Sequence, residues 1–263
     1  MIRQTASLEG LSFPPHPQLT RIWSLYGAYG SQYDFCRFYL AQNGAGVPCA
    51  VFCVLDGGIT LYGWRPDADE ELADFIRMQP FLAGASVCSD TLPTLLKDEF
   101  SLHRGNIMVK KLVGGGAARP GSPDFRRAYR ILEQVFPGYF PPGGFDQWYC
   151  DASHRIRHGA QDLFLLEDAA TGSLGYGDGE YALISQVAVQ KSDRGKGIGS
   201  RLLTAMEQAA LGKSAGRCRT AVYSKDEGTD RFYQKNGYVR AGIWTEISRP
   251  PERIGSTNDR ELF

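Results

Sequence analysis

The chain of 263 residues contains only four histidines, no CxxC pair and no excess of either charge. Its cysteines, Cys36, Cys49, Cys53, Cys88, Cys150 and Cys218, sit mostly in apolar runs such as Val51-Phe52-Cys53-Val54-Leu55. Zinc needs clustered thiolates or imidazoles. Cys49 and Cys53 would share one strand face, yet no histidine stands near them in sequence, so buried free thiols in a reducing cytosol are expected, and no metal. Lysine plus arginine and aspartate plus glutamate number 29 each. A chain without net charge exerts no global pull on nucleic acid or anionic lipid, so any anion site has to be local. Met1-Ile2-Arg3-Gln4-Thr5 is not followed by the apolar run of a signal peptide, and no apolar stretch approaches the roughly 20 residues that cross a bilayer. A soluble cytoplasmic protein with neither membrane nor nucleic acid as partner is the expectation. Hydrophobic residues make up 43% of the chain, too many for disorder.

The length exceeds the usual domain of about 100–150 residues, which favours two domains. The sharpest break is Gly114-Gly115-Gly116-Ala117-Ala118-Arg119-Pro120-Gly121-Ser122-Pro123, where glycine frees the backbone and proline blocks pairing. It divides the chain into a domain at 1–113, a linker at 114–123 and a domain at 124–263. In the first, the apolar spacing suggests a helix over Gln32–Gln42. Cys49–Leu55 and Ile59–Trp64 read as a hairpin around Asp56-Gly57-Gly58. Asp69–Met78 has acidic residues in its first turn and Leu72, Phe75 and Ile76 on one face, as a helix would. Ala85–Cys88, Leu92–Glu99 and Ile107–Leu112 read as strand, helix and strand. In the second domain, Asp124–Val135 and Asp146–Arg157 are amphipathic helices, and Asp162–Glu167 and Leu183–Gln190 are strands. A helix starts near Gly199, Arg219–Tyr223 is a short strand, Thr229–Lys235 a helix, and Tyr238–Ile247 holds the last strand or two. The class is α/β, with a mixed sheet flanked by helices in each of two tandem domains.

Chemistry concentrates in Ile184-Ser185-Gln186-Val187-Ala188-Val189-Gln190-Lys191-Ser192-Asp193-Arg194-Gly195-Lys196-Gly197-Ile198-Gly199-Ser200-Arg201-Leu202-Leu203. A strand runs into a glycine-spaced turn and then a helix. Gly195, Gly197 and Gly199 remove side chains where the backbone must approach a bulky ligand. The first amides of the helix lack internal partners and stand at the positive end of its dipole, an anion cradle suited to a pyrophosphate. Arg194 and Lys196 add cations at its mouth. A dinucleotide fingerprint would want glycine where Ser200 stands and an acidic residue ending the next strand, where Val222 and Tyr223 stand. A Walker loop fails too: Gly212-Lys213-Ser214 has the right ending, but Glu207 occupies the first glycine's position. A purely structural turn is the remaining rival.

A second motif separates these readings. Arg194-Gly195-Lys196-Gly197-Ile198-Gly199 resembles the (Arg/Gln)-x-x-Gly-x-(Gly/Ala) loop of the GCN5-related N-acetyltransferase (GNAT) family, with Val187-Ala188-Val189 as the strand before it. Phe232-Tyr233-Gln234-Lys235-Asn236-Gly237-Tyr238 is similar to the Phe/Leu-Tyr-x-x-x-Gly-Phe/Tyr ending of a later helix in that family. The resemblance covers roughly Asp124 to Ile247. It implies acetyl-CoA as cosubstrate and an amine as acceptor. Val187 and Val189 would pair with the pantetheine arm, Arg194, Gly195, Lys196, Gly197, Ile198 and Gly199 would hold the pyrophosphate, and Ser200 would stand at the helix start. An amide near Val187 or Ala188 would polarise the thioester carbonyl. Tyr233 would be the general acid toward the departing sulfur: a phenol of pKa about 10 stays protonated at neutral pH and can donate to a thiolate of pKa about 8.5. Its rival role is an aromatic packed on a helix face.

Two departures stand out. Many family members carry Asn and Ala where Asp226 and Thr229 stand here; Asp226 reads equally as a helix cap. The strand Leu183–Gln190 also offers no carboxylate as general base, only Ser185 and Gln186, and Glu167, Asp168, Asp178 and Glu180 are merely nearby in sequence. His154 and His158 fall on a helix and read as packed or exposed. An absent base favours a weakly basic amine or a water relay. A lysine-like amine of pKa 10.4 costs about 4–5 kcal/mol to neutralise at pH 7, and an α-amine near 8 about 1 kcal/mol.

The first half repeats the order hairpin, helix, strand, helix, strand, similar to the core of the same fold. Its loop, Gly63-Trp64-Arg65-Pro66-Asp67-Ala68-Asp69-Glu70, lacks the glycine spacing and is acidic, hostile to a pyrophosphate. It reads as a degenerate GNAT-like domain that packs against the second or shapes its acceptor cleft. The alternative to a transferase is an acyl-CoA-binding sensor or interaction module without turnover.

Overall fold

The computed structural model describes residues 1–116, 123–177, 180–214 and 217–250, so the middle of the proposed linker, Asp178 and the segment after 250 lie outside the described residues. The first half contains β1 (Ile2–Thr5), α1 (Pro17–Tyr29), β2 (Cys36–Gln42), β3 (Pro48–Leu55), β4 (Gly58–Gly63), α2 (Asp69–Arg77), β5 (Gly84–Cys88), α3 (Leu92–Leu96) and β6 (Ser101–Val113). The second contains α4 (Phe125–Val135), α5 (Phe145–Arg157), β7 (Gln161–Leu166), β8 (Ala170–Tyr176), β9 (Tyr181–Val189), α6 (Ile198–Lys213), β10 (Arg217–Ser224), α7 (Glu227–Lys235) and β11 (Val239–Ser248). Among the described residues, no helix is long and apolar enough to cross a membrane.

Each half repeats one pattern: three antiparallel strands, a helix, a parallel strand, a helix and a last strand. All eleven strands join one mixed sheet in the order β1-β2-β3-β4-β5-β11-β6-β10-β9-β8-β7. The last strands are exchanged. β11, from the second half, lies between β5 and β6 of the first, and β6 pairs with β10 from Asn106–Ser224 to Val113–Arg217. A half-buried ion pair reinforces the exchange, with Lys110 Nζ on β6 at 3.0 and 2.8 Å from the two Glu207 carboxylate oxygens on α6.

Helices α2 and α3 cover one face of the first half, α6 and α7 pack against the second, and α4 and α5 cover the opposite face of β7–β9. α1 belongs to both halves: it contacts β4 on one side and β8, β9 and α5 on the other. His16 caps it, its Nδ1 accepting from the Gln18 amide at 3.1 Å, and Pro17 begins it where the missing N–H costs nothing. Ser24 Oγ donates to the Ala160 carbonyl at 2.8 Å, and the His154 ring, stacked on Tyr29 at 4.8 Å, meets the Ala28 carbonyl at 2.8 Å.

Three segments differ from the sequence expectation. The helix expected over Gln32–Gln42 is strand β2, because Cys36, Phe38 and Leu40 turn inward at a period of two with Arg37 outward between them. The real helix lies earlier, as α1. β8 (Ala-Thr-Gly-Ser-Leu-Gly-Tyr) went unassigned because small residues carry little strand propensity. They are there for space: a Cβ at Gly172 would lie 3.0 Å from Met206 Sδ of α6, and one at Gly177, just beyond the strand, 2.8 Å from Thr20 Cα of α1.

The exchange makes each half the edge cover of the other. Fragments 1–113 and 124–263 expressed singly should aggregate, and co-expressed should purify together as one species by size exclusion; a monomeric fragment with its own cooperative unfolding transition would contradict the shared sheet. A Cβ at Gly105 would lie 2.2 Å from the Ser224 carbonyl and 2.5 Å from Trp244 Nε1. Gly105→Ala should therefore lower the unfolding free energy by about 2 kcal/mol or more in urea titration.

Candidate acyl-CoA site

The site begins where two strands part. β9 and β10 pair in parallel from Tyr181–Arg219 to Ile184–Val222. β9 then continues to Val189, its other edge still on β8, while β10 stays on β6. The amides and carbonyls of Val187 and Val189 thus border a wedge rather than a strand partner, as an added strand-like ligand requires. Within β9 the register against β8 slips between Thr171 and Ser173, and Gln186 takes a left-handed φ of 52°. Ser173 Oγ donates to Gln186 Oε1 at 3.0 Å, which fixes this bulge. Beyond it Val187 and Val189 pack on the α6 side and Ala188 on the α4 side.

After β9 the chain makes one 3-10 turn, Lys191–Asp193, and reaches Gly197, whose φ of 77° would strain any other residue. α6 starts at Ile198 without a side-chain cap, so its first amides face outward at the foot of the wedge. Lys196 Nζ meets Asp193 Oδ1 at 2.9 Å, and this bond, with that of Ser192, holds the Asp193 carboxyl below its usual range. Arg194 Nε reaches the Val189 carbonyl at 3.3 Å, leaving an exposed guanidinium beside the loop. Gly199 has a second duty: a Cβ there would stand 3.1 Å from Phe232 Cζ, so its absence lets α7 lie against the loop.

That contact positions Tyr233, the next residue, which is 4% exposed and lies between the rings of Phe232 and Tyr238. Burial raises its phenol well above the ordinary range, so the hydroxyl stays protonated. Among the described residues it has no hydrogen-bond partner. Asp226 caps α7, its Oδ1 accepting from the Thr229 amide at 2.8 Å and Oδ2 from Thr229 Oγ1 at 2.9 Å. Those bonds hold its carboxyl below the usual value.

The base candidates are dispersed onto arginines. Glu167 Oε1 pairs with Arg201 at 2.5 Å, Asp168 Oδ1 with Arg127 at 2.6 Å and Glu180 Oε1 with Arg219 at 3.0 Å. Glu167 and Asp168 form the turn between β7 and β8. His154 packs on Tyr29 and His158 stacks on His154 at 4.2 Å, near the α1–α5 contact. All six cysteines are free thiols, and only Cys150 is exposed.

The first half makes no such wedge. β4 and β5 stay paired from Gly58–Gly84 to Tyr62–Cys88. Asp69, the first residue of α2, is 3% exposed and turned toward the start of α3, its Oδ2 accepting from Thr91 Oγ1 and, at 3.3 Å, from Ser89 Oγ. Burial pushes that carboxyl up.

Two residues beside the wedge escaped the sequence reading. Tyr223, one residue past the last β9–β10 pair, donates its hydroxyl to Gln18 Oε1 of α1 at 2.5 Å. Gln18 Nε2 in turn donates to the Ser86 carbonyl at 2.7 Å and the Leu61 carbonyl at 3.3 Å. The available signal was the His16-Pro17 start of α1.

A splayed parallel pair, a bulged strand and a glycine-capped helix head define the acyl-CoA N-acyltransferase class of fold. Residues 159–240 match the acetyltransferase (GNAT) domain model. Over its whole length the chain is similar in fold to solved tandem-sized proteins. One is a GCN5-related N-acetyltransferase from Sphaerobacter thermophilus, at 19% identity, with 95% of this chain and 96% of that chain covered and a TM-score of 0.54. Another is a tandem GNAT protein from the clavulanic acid biosynthesis pathway, at 13% identity, 96% and 99% coverage and 0.54. A third, from Kribbella flavida, shares 16% identity over 90% of this chain and 97% of that chain, with 0.53. At these identities the likeness is one of fold. No curated protein matches the sequence.

The cap on α7 sets a testable sign. Because the folded Asp226 pKa lies below its unfolded value, its stabilisation is present above about pH 4 and is lost as pH falls through the lower folded value. Asp226→Ala should cost about 1 kcal/mol at pH 7 by urea unfolding, and the difference from wild type should shrink below pH 4.

Proposed function

We propose that the protein is an N-acetyltransferase that uses acetyl-CoA as cosubstrate and acetylates a primary amine by direct attack in a ternary complex. The observation that carries this reading is the wedge between β9 and β10 ending on the uncapped head of α6. It offers main-chain groups to a pantetheine arm and N–H donors to a pyrophosphate, with a lone protonated phenol, Tyr233, close by on α7. Bound there, acetyl-CoA would supply an activated acyl group. Val187 and Val189 would align the arm, Arg194 to Gly199 with Ser200 would hold the diphosphate, and the Val187 or Ala188 amide at the bulge would polarise the thioester carbonyl. As the amine nitrogen bonds to the carbonyl carbon and the C–S bond breaks, Tyr233 donates its proton to the sulfur. The amine's proton leaves through water, because Glu167, Asp168 and Glu180 are held by arginines away from this work. Such a site favours an amine that is already substantially neutral near pH 7.

Tyr233→Phe keeps the ring packing and removes only the proton. Acetylation of an amine panel should fall about a hundredfold in kcat, with CoA affinity by calorimetry unchanged. Gly197→Ala should show the opposite pattern, weakening CoA affinity through a backbone strain of about 1 kcal/mol with little change in kcat. Wild-type protein that binds CoA and acetylates nothing would instead indicate a sensor.

A further inference from the structure

α1 is enclosed by both halves of the protein, and of its residues only Arg21 and Gly27 are exposed. Pro17, Gln18, Ser24 and Leu25, the neighbours of Arg21 one turn before and one turn after, are all buried, yet Arg21 itself is exposed. The facing strand also carries an exposed residue. β9 lies against α1 and α4, and by alternation Ser185 turns away from Ile184 and α6 toward that side. Ser185 is exposed in mid-strand, immediately past the last residue paired with β10.

Both exposed residues thus stand on elements that pack together beside the start of the wedge. Gln18, on the same helix face as Arg21, ties that face to Tyr223 by a hydrogen bond. Among the described residues Arg21 makes no hydrogen bond or ion pair. Burial pushes the Tyr223 phenol up, and the Arg21 charge works against that rise, as it does for the Cys88 thiol. The guanidinium is thus within electrostatic reach of this wall.

An exposed arginine with no partner is a ready fork for a planar anion. α1 lies on the face of β9 away from α6, so an acceptor held by Arg21 would approach the wedge from the side opposite the diphosphate loop. We propose that Arg21 is a specificity-determining residue that holds a carboxylate on the acceptor, making the acceptor class an amine that carries a carboxylate, such as an amino acid. This rests on the transferase reading for the amine's fate, but the binding itself is independent of turnover. It also gives the first half a function: the domain without its own cofactor cradle supplies the acceptor-binding arginine.

The experiment uses the full chain with CoA present and the standard L-amino acids, each beside its C-terminal carboxamide, read by thermal shift and calorimetry. At least one acid should bind about tenfold or more tighter than its amide. Arg21→Gln should erase that preference, and Arg21→Lys, which keeps the charge and loses the fork, should retain part of it. CoA affinity and the unfolding midpoint in the absence of amino acid report whether each variant is folded; Arg21→Lys decides the matter should Arg21→Gln fail to fold. Acids binding no better than their amides, or a preference that survives in the variants, overturns the assignment of Arg21. Failure of the transferase reading looks different: CoA does not bind, or acids bind through Arg21 and no acetyl group is transferred.

Discussion

The parting of β9 from β10 is the constraint from which the rest of the site follows. Parallel pairing between them ends at Ile184–Val222, while β10 is paired with β6 along its whole length and β9 with β8 as far as Val189. Each strand is held more extensively by its outer neighbour than by the other, so the twist of a long sheet is released at this seam. β6 comes from the first half. The wedge in the second domain is therefore opened partly by a strand that the first domain contributes, and the two are coupled through main-chain hydrogen bonds rather than through a side-chain interface alone.

The first half has the same strand pattern without such a wedge. β5 borders β11 as β10 borders β6, yet β4 and β5 remain paired to the end, and the buried carboxylate of Asp69, the first residue of α2, ties that helix to Ser89 and Thr91 ahead of α3. α1 lies across both halves. Gln18 then ties α1 to β4, β5 and Tyr223 of β10 at once.

What could be read from the sequence was whatever depends on local chemistry. Gly195, Gly197 and Gly199 announced the turn because backbone conformation and close approach leave few alternatives, and Gly197 and Gly199 prove to meet those two demands separately. α2, α4, α5 and α7 showed amphipathic stripes or acidic first turns and were placed within a few residues. α1 had no stripe to read, because protein surrounds it on nearly every side. β2 was misread because so short a run, with Cys36, Phe38, Tyr39, Leu40 and Ala41 apolar, fits either period. β8 was invisible because its residues were selected for smallness against α6 and α1, a requirement set by packing partners far away in sequence. The exchange of β6 and β11 has no local signature at all.

The described base candidates, Glu167, Asp168 and Glu180, are all held by arginines, and here geometry and acid–base chemistry constrain each other. An enzyme that must deprotonate a lysine-like amine has to supply about 4–5 kcal/mol at pH 7, which calls for a base or a water chain anchored by one. Among the described residues Asp168, Glu167 and Glu180 are bound to Arg127, Arg201 and Arg219, and β9 offers the exposed Ser185 instead. A carboxylate placed there would also be a repulsive neighbour for an anionic acceptor, whereas a serine is neutral to it. A neutral floor and an unpaired arginine in the wall thus suit the same acceptor, one bearing its own negative charge. For such an acceptor, pairing of its carboxylate with Arg21 would offset the negative charge that otherwise holds the neighbouring amine protonated, so the proposed arginine would ease deprotonation as well as position the acceptor.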